Sequence, residues 1–298
     1  MELSKSAAVT PAQAVATYAP HRPRWHWRAL LLHGIIWFFC ALILLPLFWV
    51  ALRSISAIPD AYTGRLIPQN FDFTHYNYVF EHIPSFVQNY TNSVIVTSST
   101  VIITCVISIL AGYALVHLKL PWSWALVAVL VGTLFFPTRI VAIIGIYDIQ
   151  ARLGLINTLI GLILPYVTLN LAISILIMRG VFETVSHEMV EAAKMDGASA
   201  MRILLQILLP LVANGIVVLV IVNFVTAWGE YLLAVTLTND QSVRTLPVVL
   251  ATTFGGFGEW QWPRIAAVYL LAILPGIIAF AIAQRWYMKG LQEGALKF

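Results

Sequence analysis

The sequence predicts an all-α integral membrane bundle of six transmembrane helices, with both termini on the cytoplasmic side. Three observations carry this expectation. Of 298 residues, 60% are hydrophobic and only 10% are Asp, Glu, Lys or Arg, too few charges to cover a soluble domain of this size. The apolar residues gather into six runs that each reach the roughly 20 residues a helix needs to cross a bilayer core. Those runs show no period-2 alternation and are far longer than barrel strands, and backbone in lipid has to satisfy its hydrogen bonds within its own segment.

Taken in order, residues 1–28 form a polar, Ala- and Pro-rich arm that ends in Arg22, Arg24 and Arg28. Ala29–Leu52 is the first span, free of Asp, Glu, Lys and Arg. It is too long for a signal-peptide core and lacks a clear cleavage site, so it reads as an uncleaved anchor. Asn89–Val116 is the second span and Trp122–Tyr147 the third, interrupted by Arg139. Ile156–Met178 is the fourth, the fifth starts at Ile203 and runs to about Leu237, and Ile265–Gln284 is the sixth. The membrane domain thus occupies residues 29–287, followed by a cytoplasmic tail over 288–298. Cys40 and Cys105 both fall in apolar runs, which points to neither a disulfide framework nor a metal cluster.

Orientation follows from the cations. An inside N-terminus leaves Lys5, Arg22, Arg24, Arg28, Lys119, Arg179, Lys194, Arg202, Arg285, Lys289 and Lys297 in the cytoplasm, 11 of the 17 basic residues. Outside remain Arg53, Arg65, Arg139, Arg152, Arg244 and Arg264. Acidic residues divide almost evenly, so the bias lies in Lys and Arg, as the positive-inside rule requires. The basic excess therefore reports topology and not affinity for nucleic acid.

Two outer loops are long, Arg53–Gln88 and Thr238–Arg264. The inner loop from Arg179 to Gln206 is too short for a domain and too long for a turn. Within it Ser186 reads as an N-cap, with Glu188 and Glu191 where the helix dipole favours negative charge. Gly197 is placed to end the helix in a left-handed turn, Ser199 to cap a second helix, and Pro210 to bend it. Met189, Ala192, Ala193 and Asp196 stand at helical spacing, and the paired alanines leave a low face that another protein can approach closely. A plain surface hairpin joining two spans fits the same residues.

One pattern goes further. Glu191-Ala192-Ala193, three residues, Gly197, nine residues, Ile207, one residue, Leu209-Pro210 resembles the EAA motif of ABC importer permeases, in the expected loop before span five. The likeness extends from about Leu45 to the C-terminus and is similar to the maltose-type carbohydrate branch. Asn92-Ser93, Ala111-Gly112-Tyr113-Ala114, Phe136-Pro137, Gly154-Leu155-Ile156-Asn157-Thr158 and the tail Gln284-Arg285-Trp286-Tyr287 carry it. Leu296-Lys297-Phe298 departs from the usual valine-lysine-glycine ending. The resemblance implies the type I importer permease fold, a coupling helix within residues 183–210, and Glu191, Ala192, Ala193, Asp196, Gly197, Ile207 and Pro210 as the residues that engage a separate ATPase. It further implies an ABC ATPase dimer that binds ATP-Mg, a second permease subunit and an extracytoplasmic solute-binding protein. This chain would bind no cofactor or metal and would sit in a bacterial inner membrane. Gly197→Asp or Glu191→Lys is expected to leave it inserted but uncoupled.

Polar groups at membrane depth are costly and face protein or water. Asn170 in span four and Asn223, Trp228, Glu230 and Tyr231 in span five are candidates for the substrate pathway, since aromatic faces beside hydrogen-bonding groups suit sugars. Helix–helix hydrogen bonding explains Asn170 and Asn223 equally well. Trp228-Gly229-Glu230 resembles the family's Trp-Asn-acidic stretch, with Gly229 as the departure. Arg139 is placed to pair with Glu230 or to snorkel to water. Gly255-Gly256-Phe257-Gly258 lacks a following Lys and reads as a turn; Trp260 and Trp262 read as interfacial belt residues or as a contact for a solute-binding protein.

Other classes fit less well. An ion-coupled secondary transporter would show inverted repeats and a midplane acidic or His relay, and neither is visible. No zinc-protease or hydrolase motif is present. None of the five lysines stands in a Gly-Lys-Ser/Thr context, so ATP hydrolysis has to come from elsewhere. The substrate class implied is a carbohydrate, a di- or oligosaccharide, with glycerol phosphates and polyols as alternatives.

Overall fold

A computed structural model describes residues 27–83, 85–118, 120–135, 138–256 and 261–295, with the side chains of residues 28, 138–140, 253–256 and 285–295 outside that description. It divides into two compact units, residues 1–48 and 49–298. The first is built on helix α1, Trp27–Ser54, which begins before the predicted span and ends two residues beyond it.

The second unit follows in order: α2 (Ile58–Ala61), α3 (Thr74–His82), α4 (Phe86–His117), α5 (Ser123–Phe135), α6 (Thr138–Arg152), α7 (Leu159–Glu183), α8 (His187–Met195) and α9 (Ala200–Arg202). A π-helical turn over Ile203–Leu208 leads into α10 (Leu209–Leu211), α11 (Ala213–Trp228), α12 (Leu232–Leu237), α13 (Leu246–Gly256) and α14 (Trp262–Ala295). Among the described residues the one β feature is an isolated bridge between Ser56 and Phe71. The chain is all-helical, of the membrane type.

Helix α4 lies along α7 as the most extensive pair, with α11 against both. Gly112 permits the approach: a Cβ there would stand 2.9 Å from the Cβ of Met178 and 3.0 Å from the backbone nitrogen of Arg179. Gly215 plays the same part between α11 and α7, where a Cβ would meet Val181 at 2.5 Å. Apolar side chains close three cores. One, around Tyr113, Met178, Phe182, Val190 and Leu204, sits at the end where α4 runs out. A second, around Val79, Phe86, Val249 and Val268, closes the opposite end, and a third gathers Val96, Leu162, Tyr166, Ala227, Leu233 and Val248.

Among the described residues four helices are long and apolar enough to cross a bilayer: Ala29–Ser54, Phe86–His117, Leu159–Glu183 and Trp262–Gln284. A fifth arises when Ala200–Leu211 and Ala213–Trp228, bent by 82°, are counted as one. The third predicted span holds α5 and α6, with Phe136-Pro137 between them outside the described residues. The fifth is not continuous to Leu237, because Gly229–Tyr231 separates α11 from α12. The last helix runs past Gln284 to Ala295 without a break, and Gly255 and Gly256 close helix α13, where a turn was expected.

Candidate functional site

The hairpin Val185–Pro210 assembles as its local chemistry dictates. Ser186 caps α8, its hydroxyl accepting from the Met189 N–H at 3.3 Å, and Glu188 occupies the first turn, where unpaired N–H groups favour a carboxylate. At the other end Gly197 adopts φ +79°. The Ala198 N–H then returns to the Ala193 carbonyl at 3.0 Å and the Gly197 N–H to that of Lys194 at 3.0 Å, the paired bonds of a Schellman cap. A Cβ at Gly197 would meet nothing within 4 Å, so its requirement for glycine is conformational. Ser199 caps α9 by accepting from the Arg202 N–H at 3.4 Å.

Helix α8 faces two ways. Val190 and Ala193 are buried with Ile203 and Leu208 against Tyr113, Met178 and Phe182, with the partly buried Val185, Ala198 and Ile207 packed alongside, which seats the hairpin on the ends of α4 and α7. Glu188, Met189, Glu191, Ala192, Lys194, Met195 and Asp196 are exposed, Met195 at 88%. The four residues expected on one low face are therefore split. Ala193 turns inward because Val190 and Ala193, three apart, supply the contact with the bundle, while Met189, Ala192 and Asp196 stay outside. The outer surface is thus a small apolar strip, Met189, Ala192 and Met195, flanked by three carboxylates and one ammonium.

Beyond the hairpin the Leu209 N–H reaches back to the Leu204 carbonyl, five residues away, which widens the helix by one residue. Pro210 is exposed within α10, and the 82° bend follows at Val212. Beside the hairpin a cleft of about 460 Å³ is lined by Ser123, Trp124, Arg179, Glu183 and His187. Arg179 and Glu183, one turn apart on α7, pair with each other at 2.8 Å.

The membrane-depth candidates are not brought together. Asn223 is fully buried and donates to the Ser174 hydroxyl at 2.9 Å and to the Leu219 carbonyl at 2.9 Å, a polar link between α11 and α7. Asn170 is buried and donates to the Tyr166 carbonyl at 2.9 Å. Glu230 caps α12, its carboxylate accepting from the N–H groups of Leu233 and Ala234 at 3.1 and 3.2 Å; the Arg139 side chain lies outside the described residues. Tyr231 is partly exposed. Trp228 opens on an apolar cleft of about 480 Å³ between α11, α13 and α14 that also includes Phe224, Leu246, Tyr269 and Gly276. Its indole donates to the Ala272 carbonyl at 3.2 Å and its ring stacks on Phe224.

A second constellation escaped the sequence reading. On the first turns of α4, Asn89 donates to the carbonyls of Gln241 and Arg244, Asn92 to those of Ser242 and Arg244, all at 2.8 to 3.0 Å. The Ser93 hydroxyl accepts from the Leu246 N–H at 2.7 Å. Asn157, at φ +59°, accepts from the N–H groups of Asn239 and Asp240. The Ser242 N–H, and its hydroxyl after it, hold the Asp240 carboxyl below its ordinary value. The signal was Asn92-Ser93 at the head of an apolar run, but a partner 150 residues away leaves no local trace.

Comparison with known proteins agrees with this geometry. Residues 26–292 match the family described as "Binding-protein-dependent transport system inner membrane component". The chain is 32% identical over 256 residues to the trehalose transport system permease protein SugB of Mycobacterium tuberculosis, which covers 85% of this chain and 92% of that one. It is 30% identical over 256 residues to the sulfoquinovosyl glycerol transport system permease protein SmoH of Agrobacterium fabrum, covering 85% and 89%. In fold it resembles a chain of a bacterial ABC transporter involved in import of the acidic polysaccharide alginate, with a TM-score of 0.75 at 22% identity over 88% of this chain and 96% of that one. With an all-helical bundle, spans of membrane length and a capped EAA hairpin seated on two of them, the chain belongs to the binding-protein-dependent transport family, as a multi-pass inner-membrane permease component of an ABC importer.

Proposed function

We propose that this chain forms half of the translocation pathway of a carbohydrate importer and takes its energy from an ATPase dimer, with ATP-Mg bound there, through α8. The observation that carries the reading is the two-faced hairpin. Val190 and Ala193 fix it to α4 and α7, while Glu191, Ala192, Asp196 and the turn at Gly197 are presented to a partner. An element seated this way moves with the helices beneath it, so closure of an ATPase pair becomes a rigid-body shift of the bundle. Ile207 and Pro210 then set how the hairpin joins α11.

In this reading the chain has six spans, counting α5 with α6 as the third and Ala200–Leu237 as the fifth. Both termini lie in the cytoplasm, with residues 1–28 as an arm and 288–298 as a tail. A second permease supplies the other half of the pathway, and a solute-binding protein delivers substrate from outside. The trehalose and sulfoquinovosyl glycerol systems of the relatives favour a sugar or glycoside. Trp228 is the proposed ring-stacking contact, bordered by Tyr231; Asn170, Asn223 and Glu230 are proposed to line the route in a state other than the present one, where their polar atoms serve their own chain.

The test is transport by the reconstituted complex. Glu191→Lys is expected to leave assembly in the membrane intact while substrate-stimulated ATP hydrolysis and uptake fall together by an order of magnitude or more. Wild-type uptake and ATPase stimulation in that variant would refute the coupling role.

A further inference from the structure

Between the end of α1 and the start of α3 the chain folds back on itself. The Ala57 N–H donates to the Asn70 carbonyl at 3.0 Å and the Asp72 N–H to the Ile55 carbonyl at 2.8 Å, around the bridge between Ser56 and Phe71. Both ends of the 58–70 loop are thereby stapled two or three residues from Ser54, the last residue of α1. At about 3.3–3.6 Å per extended residue the staple lies within about 10 Å of the helix end. The loop is held at the level where a membrane-crossing helix leaves the bilayer.

Several polar groups in and beside this loop bond its own backbone. Asp60 accepts from the N–H groups of Gln69 and Asn70 at 3.0 and 2.7 Å. Buried Arg53 donates to the carbonyls of Asp60 and Arg65, and buried His75 bonds the Ser56 carbonyl at 2.8 Å. The Thr74 hydroxyl and backbone N–H hold the Asp72 carboxyl below its ordinary value. Outward stand Tyr62, Leu66, Ile67, Phe71 and Phe73, each between 56% and 71% exposed. Arg65 is the one exposed charged side chain from Ile58 to Phe73.

Five large apolar side chains on so short a loop exceed what a water-facing surface carries without purpose. We infer that this loop is a membrane-surface anchor, whose Tyr62, Leu66, Ile67, Phe71 and Phe73 rest in the headgroup–acyl boundary of the leaflet away from the α8 hairpin, with Arg65 at the phosphate level. Three features point to lipid. The staple fixes the loop at the end of a span, its outward face is almost free of charge, and aromatics beside an arginine are the residues that favour this boundary. A soluble protein docking there would meet one exposed cation and only the part-exposed carboxylates of Asp60 and Asp72, both already engaged by backbone N–H groups of the same segment, little to orient it.

The test uses the complete transporter in lipid nanodiscs. Cys40 and Cys105 are replaced by Ala, Ile67→Cys carries an environment-sensitive fluorophore, and Asn77→Cys, exposed and polar on α3, serves as the reference. Lipids bearing a quencher near the headgroup are expected to quench the probe at 67 several-fold more strongly than that at 77, and iodide in the water several-fold less. Equal iodide quenching at both sites would overturn the inference. So would shielding at 67 that shallow lipid quenchers leave untouched, which signals the second permease, or shielding that arises only on addition of the solute-binding protein.

Discussion

Asn223 shows what a single amide does at membrane depth. It joins α11 to α7 through Ser174 and also satisfies the Leu219 carbonyl. Asn223→Ala is expected to destabilise the bundle by about 1–3 kcal/mol, because the Ser174 hydroxyl loses its interhelical partner in a dry seam. Against Ser174→Ala the double variant should reveal a coupling of about 0.5–1.5 kcal/mol, read by thermal unfolding in nanodiscs; strictly additive effects would show that the pair is not an interaction. Gly197 makes the complementary case for backbone. Its φ of +79° costs a side-chain-bearing residue about 1–2 kcal/mol, while nothing crowds the position. Gly197→Ala should therefore lower thermal stability and ATPase stimulation, and Gly197→Asn, whose short amide tolerates the left-handed region, should restore most of both. At this scale the sequence was informative wherever the physics is local. Ser186, Gly197 and Ser199 act within three residues of themselves, and each was legible as a cap. Val190, which seats the hairpin, and Asn89, which ties α4 to the 241–246 loop, were not, because their roles depend on neighbours that only the folded chain brings near.

Elements were legible by length and apolar content, and less so where a span is broken. Spans one, two, four and six appear as single helices near their expected bounds. The fifth reads as continuous because hydropathy is blind to direction: the bend at Val212 interrupts the helix without interrupting the apolar run. Packing between elements has its own test. Gly112 is the point where α4 and α7 touch, so Gly112→Ala should cost about 1–3 kcal/mol by forcing the helices apart. Gly145, within α6, has nothing within 4 Å of its missing Cβ, and Gly145→Ala should be neutral or stabilise by up to about 1 kcal/mol through the better helix propensity of alanine. Equal responses at the two sites, measured as unfolding midpoints, would show that the close approach of α4 to α7 is not a constraint.

Over the whole molecule the charged groups outside the membrane set the response to acid. The Asp72 and Asp240 carboxyls are both held below the ordinary value of 3.8, by hydrogen bonds from Thr74 and Ser242 respectively. A carboxylate favoured in the folded state adds stability above its unfolded value and loses it as pH falls through its lowered folded value. These two groups should therefore leave the unfolding midpoint flat between about pH 5 and 7, and their contribution should vanish only below about pH 4. Asp240 is exposed and Asp72 part-exposed at the surface, so the effect is small. The combined variant Asp72→Asn and Asp240→Asn should lower the midpoint near neutral pH and leave it unchanged in strong acid; an equal loss at both pH values would assign the effect to something other than charge. Membrane class and family were both within reach of the sequence, since they rest on composition and one dense motif. The route for substrate was not, since Asn170, Asn223, Trp228, Glu230 and Tyr231 acquire meaning only from what surrounds them.

The π-helical turn at Ile203–Leu208 has a bearing on how this chain tolerates length changes. Excising one residue from an ordinary helix swings everything downstream by about 100°, which would throw α11 off its seam with α7. Here the ladder already holds one residue more than an α-helix requires, and dropping it would relax the turn to regular winding while α11 keeps its facing. The stretch between the hairpin and the membrane helix is thus a place where loss of one residue is structurally cheap.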